Sequence, residues 1–159
     1  MRVLVISDTH GSLRNFKEVW KNEQPIDMIM HCGDICLDEE ELREVAGPAC
    51  AVAIVRGNCD PFSKEPDERN FKLGNHQIHM EHGHRLPDSL QAISYKAESI
   101  GADLIFFGHT HCPLVTRMGG VRIVNPGSLS RPRQSDHCPS YVIMEVGPDG
   151  EISLELKKL

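Results

Sequence analysis

Residues 1–34, MRVLVISDTHGSLRNFKEVWKNEQPIDMIMHCGD, decide the fold class. Arg2–Ser7 reads as a buried strand, rich in Val and Ile, and it runs directly into Asp8-Thr9-His10-Gly11. Leu13–Glu23 follows with Phe16, Val19 and Trp20 on one helical face, and Ser12 stands where an N-cap is expected. Met28–Met30 is a second short strand, and Gly33-Asp34 lies just past it. Strand, helix, strand predicts a parallel pair with a right-handed crossover. The pattern continues outward. The acidic residues Asp38–Glu41 suit a helix N-terminus, and Gly47-Pro48 stops that helix. Ala51–Arg56 is the third strand, and Gly57-Asn58 follows it.

Beyond the polar excursion Pro61–Pro66, Phe71–Leu73 and Gln77–Glu81 read as strands joined at Gly74-Asn75. Asp88–Ile100 is a helix with Leu90, Ile93, Ala97 and Ile100 on its apolar face, closed by Gly101. Leu104–Phe107 is another buried strand. Leu114–Met118, Val121–Asn125, Tyr141–Val146 and Ile152–Leu156 then read as an antiparallel meander around Gly-rich turns. Helices early and hairpins late predict two sheets packed face to face with helices outside. No repeat or linker interrupts the pattern, so residues 1–159 read as one domain.

Composition narrows the function classes. A 159-residue chain with 40% hydrophobic and 25% charged residues has the means to bury one core. The net charge of −6 lacks the basic footprint of a nucleic-acid binder and argues against a bound polymer. No stretch approaches the roughly 18 apolar residues of a membrane span. The run Val3–Ile6 is also too short for the apolar core of a secretory signal. The six cysteines include no C-x-x-C pair, so free thiols in a reducing cytoplasm are expected.

Seven residues of metal-ligand type follow predicted strands: Asp8 with His10, Asp34, Asn58, His82, and His109 with His111. Taken singly, each has an ordinary explanation as a turn or a polar strand end. Gly108-His109-Thr110-His111 is stronger, because residues at i and i+2 of an extended segment point the same way. The conjunction is specific. Mostly parallel sheets bind ligands just past the carboxyl ends of their strands, so all five segments are expected to converge from one sheet edge. Four His, two Asp and one Asn suit two divalent cations of the Mn, Fe, Co, Ni or Zn kind, with Mn²⁺ or Ni²⁺ expected ahead of Mg²⁺. Such pairs usually hydrolyse phosphate esters.

These motifs together resemble the signature of the calcineurin-like metallophosphoesterases. Asn125-Pro126-Gly127-Ser128 with Arg131-Pro132-Arg133 resembles their small, stand-alone bacterial and archaeal phosphodiesterase branch. The resemblance implies an α/β fold, a four-layer α/β/β/α sandwich of two mixed sheets with outer helices. It implies that Asp8, His10 and His111 hold one metal, that Asn58, His82 and His109 hold the second, and that Asp34 bridges them. A carboxylate, with two oxygens, suits the bridge better than an amide. The implied reaction is in-line attack on a small phosphodiester by a metal-bridging hydroxide.

Many relatives in that family carry His after the ligand Asn, where it assists the leaving group; here the position is Cys59. A thiol is a poor acid near neutral pH, and His84 is the candidate replacement. Of the other histidines, His79 faces away from Ile78 and Met80 and is expected to be solvated, and His31 is expected behind the ligands. His76 and His137 carry no signal. Arg56, Arg131 and Arg133 are candidate phosphate contacts. Two alternatives stay open: a non-catalytic scaffold on this fold, as in the retromer subunit that resembles the family, and a phosphomonoesterase. Self-association is also left open.

Overall fold

In the computed structural model, which describes residues 1–159, the first third of the chain builds the predicted alternation. The elements are β1 (Arg2–Ile6), α1 (Arg14–Asn22), β2 (Met28–His31), α2 (Glu39–Ala46) and β3 (Ala51–Ile54). β1, β2 and β3 run parallel, with Val5 opposite Met30 and Met30 opposite Ala53. β4 (Glu68–Leu73), β5 (His76–Glu81), α3 (Leu90–Ser99), β6 (Leu104–Phe106), β7 (Leu114–Met118), β8 (Val121–Asn125), β9 (Ser140–Val146) and β10 (Ile152–Lys158) follow. The strands form two five-stranded mixed sheets, ordered β10-β9-β1-β2-β3 and β4-β5-β6-β8-β7. In the second sheet β5, β6 and β8 are the parallel members.

Alternation along β1 shows why the sheets stack. Val3 and Val5 join a core shared with Met80, Phe106 and Val124 of the second sheet. Leu4 and Ile6 point the other way and pack with Phe16, Val19 and Leu42 of α1 and α2. On the far side Ile93 and Ala97 of α3 cover Ile105 and Ile123. The result is the α/β/β/α sandwich that the family resemblance implies. No helix is long and apolar enough to cross a membrane, and all six cysteines are free thiols.

Several details differ from expectation. The C-terminal strands are not one meander: β7–β8 is a hairpin in the second sheet, whereas β9–β10 is a hairpin in the first. The segment between Asn125 and Ser140 crosses from one sheet to the other. Ser12 does not cap α1. Its N–H donates to the Thr9 carbonyl in a tight turn, and the helix starts later, behind Leu13. α3 begins behind Ser89, whose Oγ accepts from the Ala92 N–H at 3.2 Å. His79 is fully buried, not solvated. Its ring lies 2.8 Å from both Asn70 Oδ1 and Glu81 Oε1, and Lys96 of α3 pairs with Glu81. The face opposite Ile78 is covered by side chains of α3, which strand periodicity alone does not reveal.

Candidate metal centre

The carboxyl ends of the parallel strands bring the ligand-type residues together, but from two sheet edges rather than one. Asp8 and His10 follow β1, Asp34 follows β2, and Asn58 follows β3 in the first sheet. His82 follows β5, and His109 and His111 follow β6 in the second. His111 Nε2 lies 3.1 Å from Asp8 Oδ1 and 3.1 Å from His10 Nε2. Asp34 Oδ2 lies 3.8 Å from His10 Nε2 and 3.4 Å from His82 Nε2. His82 Nε2 is 3.2 Å from Asn58 Oδ1, and the His82 and His109 rings are 5.2 Å apart. Three close groups share these residues: Asp8 with His10 and His111, Asp8 with Asp34 and His82, and His10 with Asp34 and Cys59, while Asn58 and His109 lie beside His82.

Each carboxylate has one oxygen tied down and one left over. Asp8 Oδ2 accepts from the His109 N–H at 3.0 Å, while the buried Asp8 Oδ1 has no hydrogen-bond partner. Asp34 Oδ1 accepts from the Cys59 N–H at 2.8 Å, which leaves Oδ2 facing His10 and His82. Two imidazoles are oriented in the same sense. His111 Nδ1 lies 2.6 Å from the Arg131 carbonyl and His82 Nδ1 lies 2.8 Å from the Cys32 carbonyl. Donation at Nδ1 leaves an Nε2 lone pair aimed inward, the arrangement usual behind metal-binding histidines. A buried, unpartnered carboxylate oxygen ringed by such nitrogens fits a divalent cation.

The charges in the site agree. Burial opposes ionisation of Asp34, but His82 and the Cys59 amide outweigh it and hold the carboxyl well below the usual range. Burial likewise opposes charge on His82, yet Asp34 and Asp8 raise its pKa. Burial lowers His10 and His109, the latter helped by His82.

The backbone is strained here. Asp8, His10, Asp34, His109 and His111 have φ between 46° and 64°, five of the eight non-glycine residues in that region. Such conformations cost on the order of 1 kcal/mol each and cluster at functional sites. Two glycines permit the close approach. A Cβ on Gly57 would meet Asp34 Oδ1 at 2.0 Å, and one on Gly108 would meet Ser7 Oγ at 1.9 Å and Asp8 Oδ2 at 2.5 Å.

The other sequence candidates divide. Cys59 is largely exposed beside the centre, and the partial desolvation of its thiol together with Asp34 pushes its pKa up to about 11. His84 is half-buried, its ring 5.6 Å from that of His82 and 6.3 Å from that of His109, and its Nδ1 has no partner. Arg56 is engaged by Asp67 at 2.5 and 3.2 Å rather than turned to the centre. Arg131 lends its carbonyl to His111, and its charge opposes protonation of His10; the Arg133 N–H donates to the His111 carbonyl. His31 is buried behind the ligand-type residues. Its Nδ1 accepts from the Gly33 N–H, its Nε2 meets Thr9 Oγ1 at 3.0 Å, and burial lowers its pKa to about 4.

The sequence motifs include Asn125 and Ser128 but give no role to them or to Asp60. Asp60 is buried and accepts from the Gly57 and Cys36 amides at 2.7 Å, stapling the loops that carry Asn58 and Asp34. Asn125 Nδ2 donates to the Gly108 carbonyl at 2.7 Å, and Ser128 Oγ donates to the Asp8 carbonyl at 2.7 Å. The signal available was their position, Asp60 after β3 and Asn125 and Ser128 at and just past the end of β8, beside the ligand-type residues.

Residues 1–149 match the family model of the calcineurin-like phosphoesterase superfamily domain. The probable metallophosphoesterase YsnB of Bacillus subtilis is 37% identical over 152 residues, covering 94% of this chain and 86% of that protein. Vacuolar protein sorting-associated protein 29 of Schizosaccharomyces pombe is 32% identical over 161 residues, covering 92% and 85%. The crystal structure of a predicted phosphoesterase from Streptococcus pneumoniae superimposes with a TM-score of 0.81 at 27% identity, covering 99% of this chain and 88% of that one. The fold, the converging ligand-type residues and the sequence match agree, and the chain belongs to the calcineurin-like phosphoesterase superfamily.

Proposed function

We propose that this protein is a dinuclear-metal-dependent phosphodiesterase. In this reading Asp8, His10 and His111 hold one divalent ion, Asn58, His82 and His109 hold the other, and Asp34 bridges them. The observation that carries it is the buried, unpartnered Asp8 Oδ1 facing the Nε2 atoms of His10 and His111. Asp34 would contribute Oδ2, which faces His10 and His82, while Oδ1 accepts from the Cys59 amide. When bound, two such ions supply an acidified water and positive charge for the phosphoryl oxygens. Mn²⁺ or Ni²⁺ suits a His-rich shell better than Mg²⁺.

The chain's own groups orient this chemistry. The Arg131 and Cys32 carbonyls hold His111 and His82 with Nε2 inward. Arg131, whose charge opposes protonation of His10, is the candidate cation for a phosphate. Diesters are favoured over monoesters because the thiol at position 59 holds its proton tightly. It gives little help to a basic leaving group. His84 remains the candidate acid. One catalytic domain in a reducing cytoplasm suits the six free thiols.

The test is hydrolysis of matched phosphodiesters and phosphomonoesters by protein loaded with defined metals. Preference for activated diesters with Mn²⁺ or Ni²⁺ supports the reading. A protein-binding scaffold is the second reading, favoured by the likeness to Vps29. Metal binding without turnover of any phosphate ester would support it.

A further inference from the structure

Beside His109 the surface opens into a cleft of about 420 Å³, within the range of roughly 300–1,000 Å³ usual for small-molecule sites. Leu86, Leu90, Ile93, Phe107, Pro113 and Leu114 form its apolar walls, and His109 itself lines it. Leu86, Leu90 and Leu114 are only half-buried extensions of the core under α3. No lysine or arginine lines the cleft, and its one carboxylate is Asp88. Thr110 and Asn125 add neutral polar groups, so the lining offers an anionic substituent no cation and favours burial of neutral, mainly apolar ones. The walls are formed in advance. Gly83 has φ +107°, and a Cβ there would meet Phe107 at 3.0 Å, so the loop lies directly on that ring. The Leu86 N–H donates to the Gly83 carbonyl, and Ser89 caps the helix that carries Leu90.

We propose that this cleft holds the retained ester group of the substrate, and that this group is neutral, apolar and about one to two aromatic rings in size. The inference rests on the phosphodiesterase reading and deepens it. During turnover the bond from phosphorus to the leaving oxygen breaks and a bond to the water oxygen forms. The leaving group departs as its anion, the water proton passes to solvent, and the retained ester stays on phosphorus in the cleft.

The experiment keeps p-nitrophenolate as leaving group and varies the retained ester from methyl to phenyl to naphthyl, with Mn²⁺-loaded protein. The naphthyl-to-methyl ratio of kcat/KM is expected to be on the order of tenfold or more, given the apolar area removed from water. Leu86→Gln and Leu90→Gln should bring that ratio toward one. Phe62→Ser, which alters an exposed apolar side chain outside the cleft lining, should leave it as in the wild type. A wild-type ratio near one, or its collapse in Phe62→Ser instead, overturns the assignment while hydrolysis itself stands. If no diester is hydrolysed, the hydrolytic reading fails, and calorimetry then decides the cleft. Phenylphosphonate should bind the Mn²⁺-loaded protein on the order of tenfold tighter than methylphosphonate, and equal binding overturns the proposal.

Discussion

At the scale of single residues, division of labour within each carboxylate is the decisive feature. Asp34 gives Oδ1 to the Cys59 amide and leaves Oδ2 between His10 and His82. Asp34→Asn removes one of the two carboxylate charges at the centre. If Asp34 is the bridge, several kcal/mol of charge stabilisation are lost, and kcat/KM should fall by about a hundredfold or more. Metal analysis should show depleted occupancy; wild-type content and rate would contradict the bridge. Cys59→His tests the neighbouring position. An imidazole can donate a proton near neutral pH, where this thiol cannot. The monoesterase-to-diesterase ratio should rise by roughly ten- to a hundredfold. An unchanged ratio at matched metal content would move the search to His84. The seven ligand-type residues were legible because each follows an apolar run. Asp60 was not, since its role is to bind amides of two loops that are distant in sequence.

At the scale of elements, short strands announced themselves through apolar runs, whereas their partners did not. The four segments Leu114–Met118, Val121–Asn125, Tyr141–Val146 and Ile152–Leu156 read correctly as strands, but pairing depends on which sheet each hairpin joins, and no local pattern encodes that. Ser12 misled because a good N-cap residue was used in a turn instead. His79 misled because α3 covers the outer face of β5 with Lys96. Glu23, just past α1, illustrates a tie between elements. It receives hydrogen bonds from Arg2 of β1, Tyr141 of β9 and Lys157 of β10. Burial opposes its charge, but these three donors lower its pKa from the ordinary 4.5 to about 2. A depressed carboxyl pKa contributes stability that is present above pH 4.5 and is lost as pH falls toward 2. Glu23→Gln should therefore be less stable near neutral pH and show a flatter loss of stability between those values. Parallel acid-unfolding curves for variant and wild type would contradict the tie.

At the scale of the whole molecule, the two sheets matter because neither edge holds a complete site. Asp8, His10, Asp34 and Asn58 come from the first, and His82, His109 and His111 come from the second. Stacking Val3 and Val5 against Met80, Phe106 and Val124 aligns the two edges. The core that fixes the fold thus also fixes the distance between the ligand-type residues of the two edges. The convergence is legible in the sequence but its division between two edges is not, because strand ends are local while the facing of two sheets is not.

The most direct measurement is metal content and turnover together. Protein stripped with chelator is titrated with Mn²⁺, and hydrolysis of an activated aryl phosphodiester is followed alongside bound metal. The account predicts no turnover in excess chelator. Activity should return as about two ions bind per chain, as a two-metal site requires, with Mn²⁺ or Ni²⁺ more effective than Mg²⁺. Full turnover in excess chelator would contradict it.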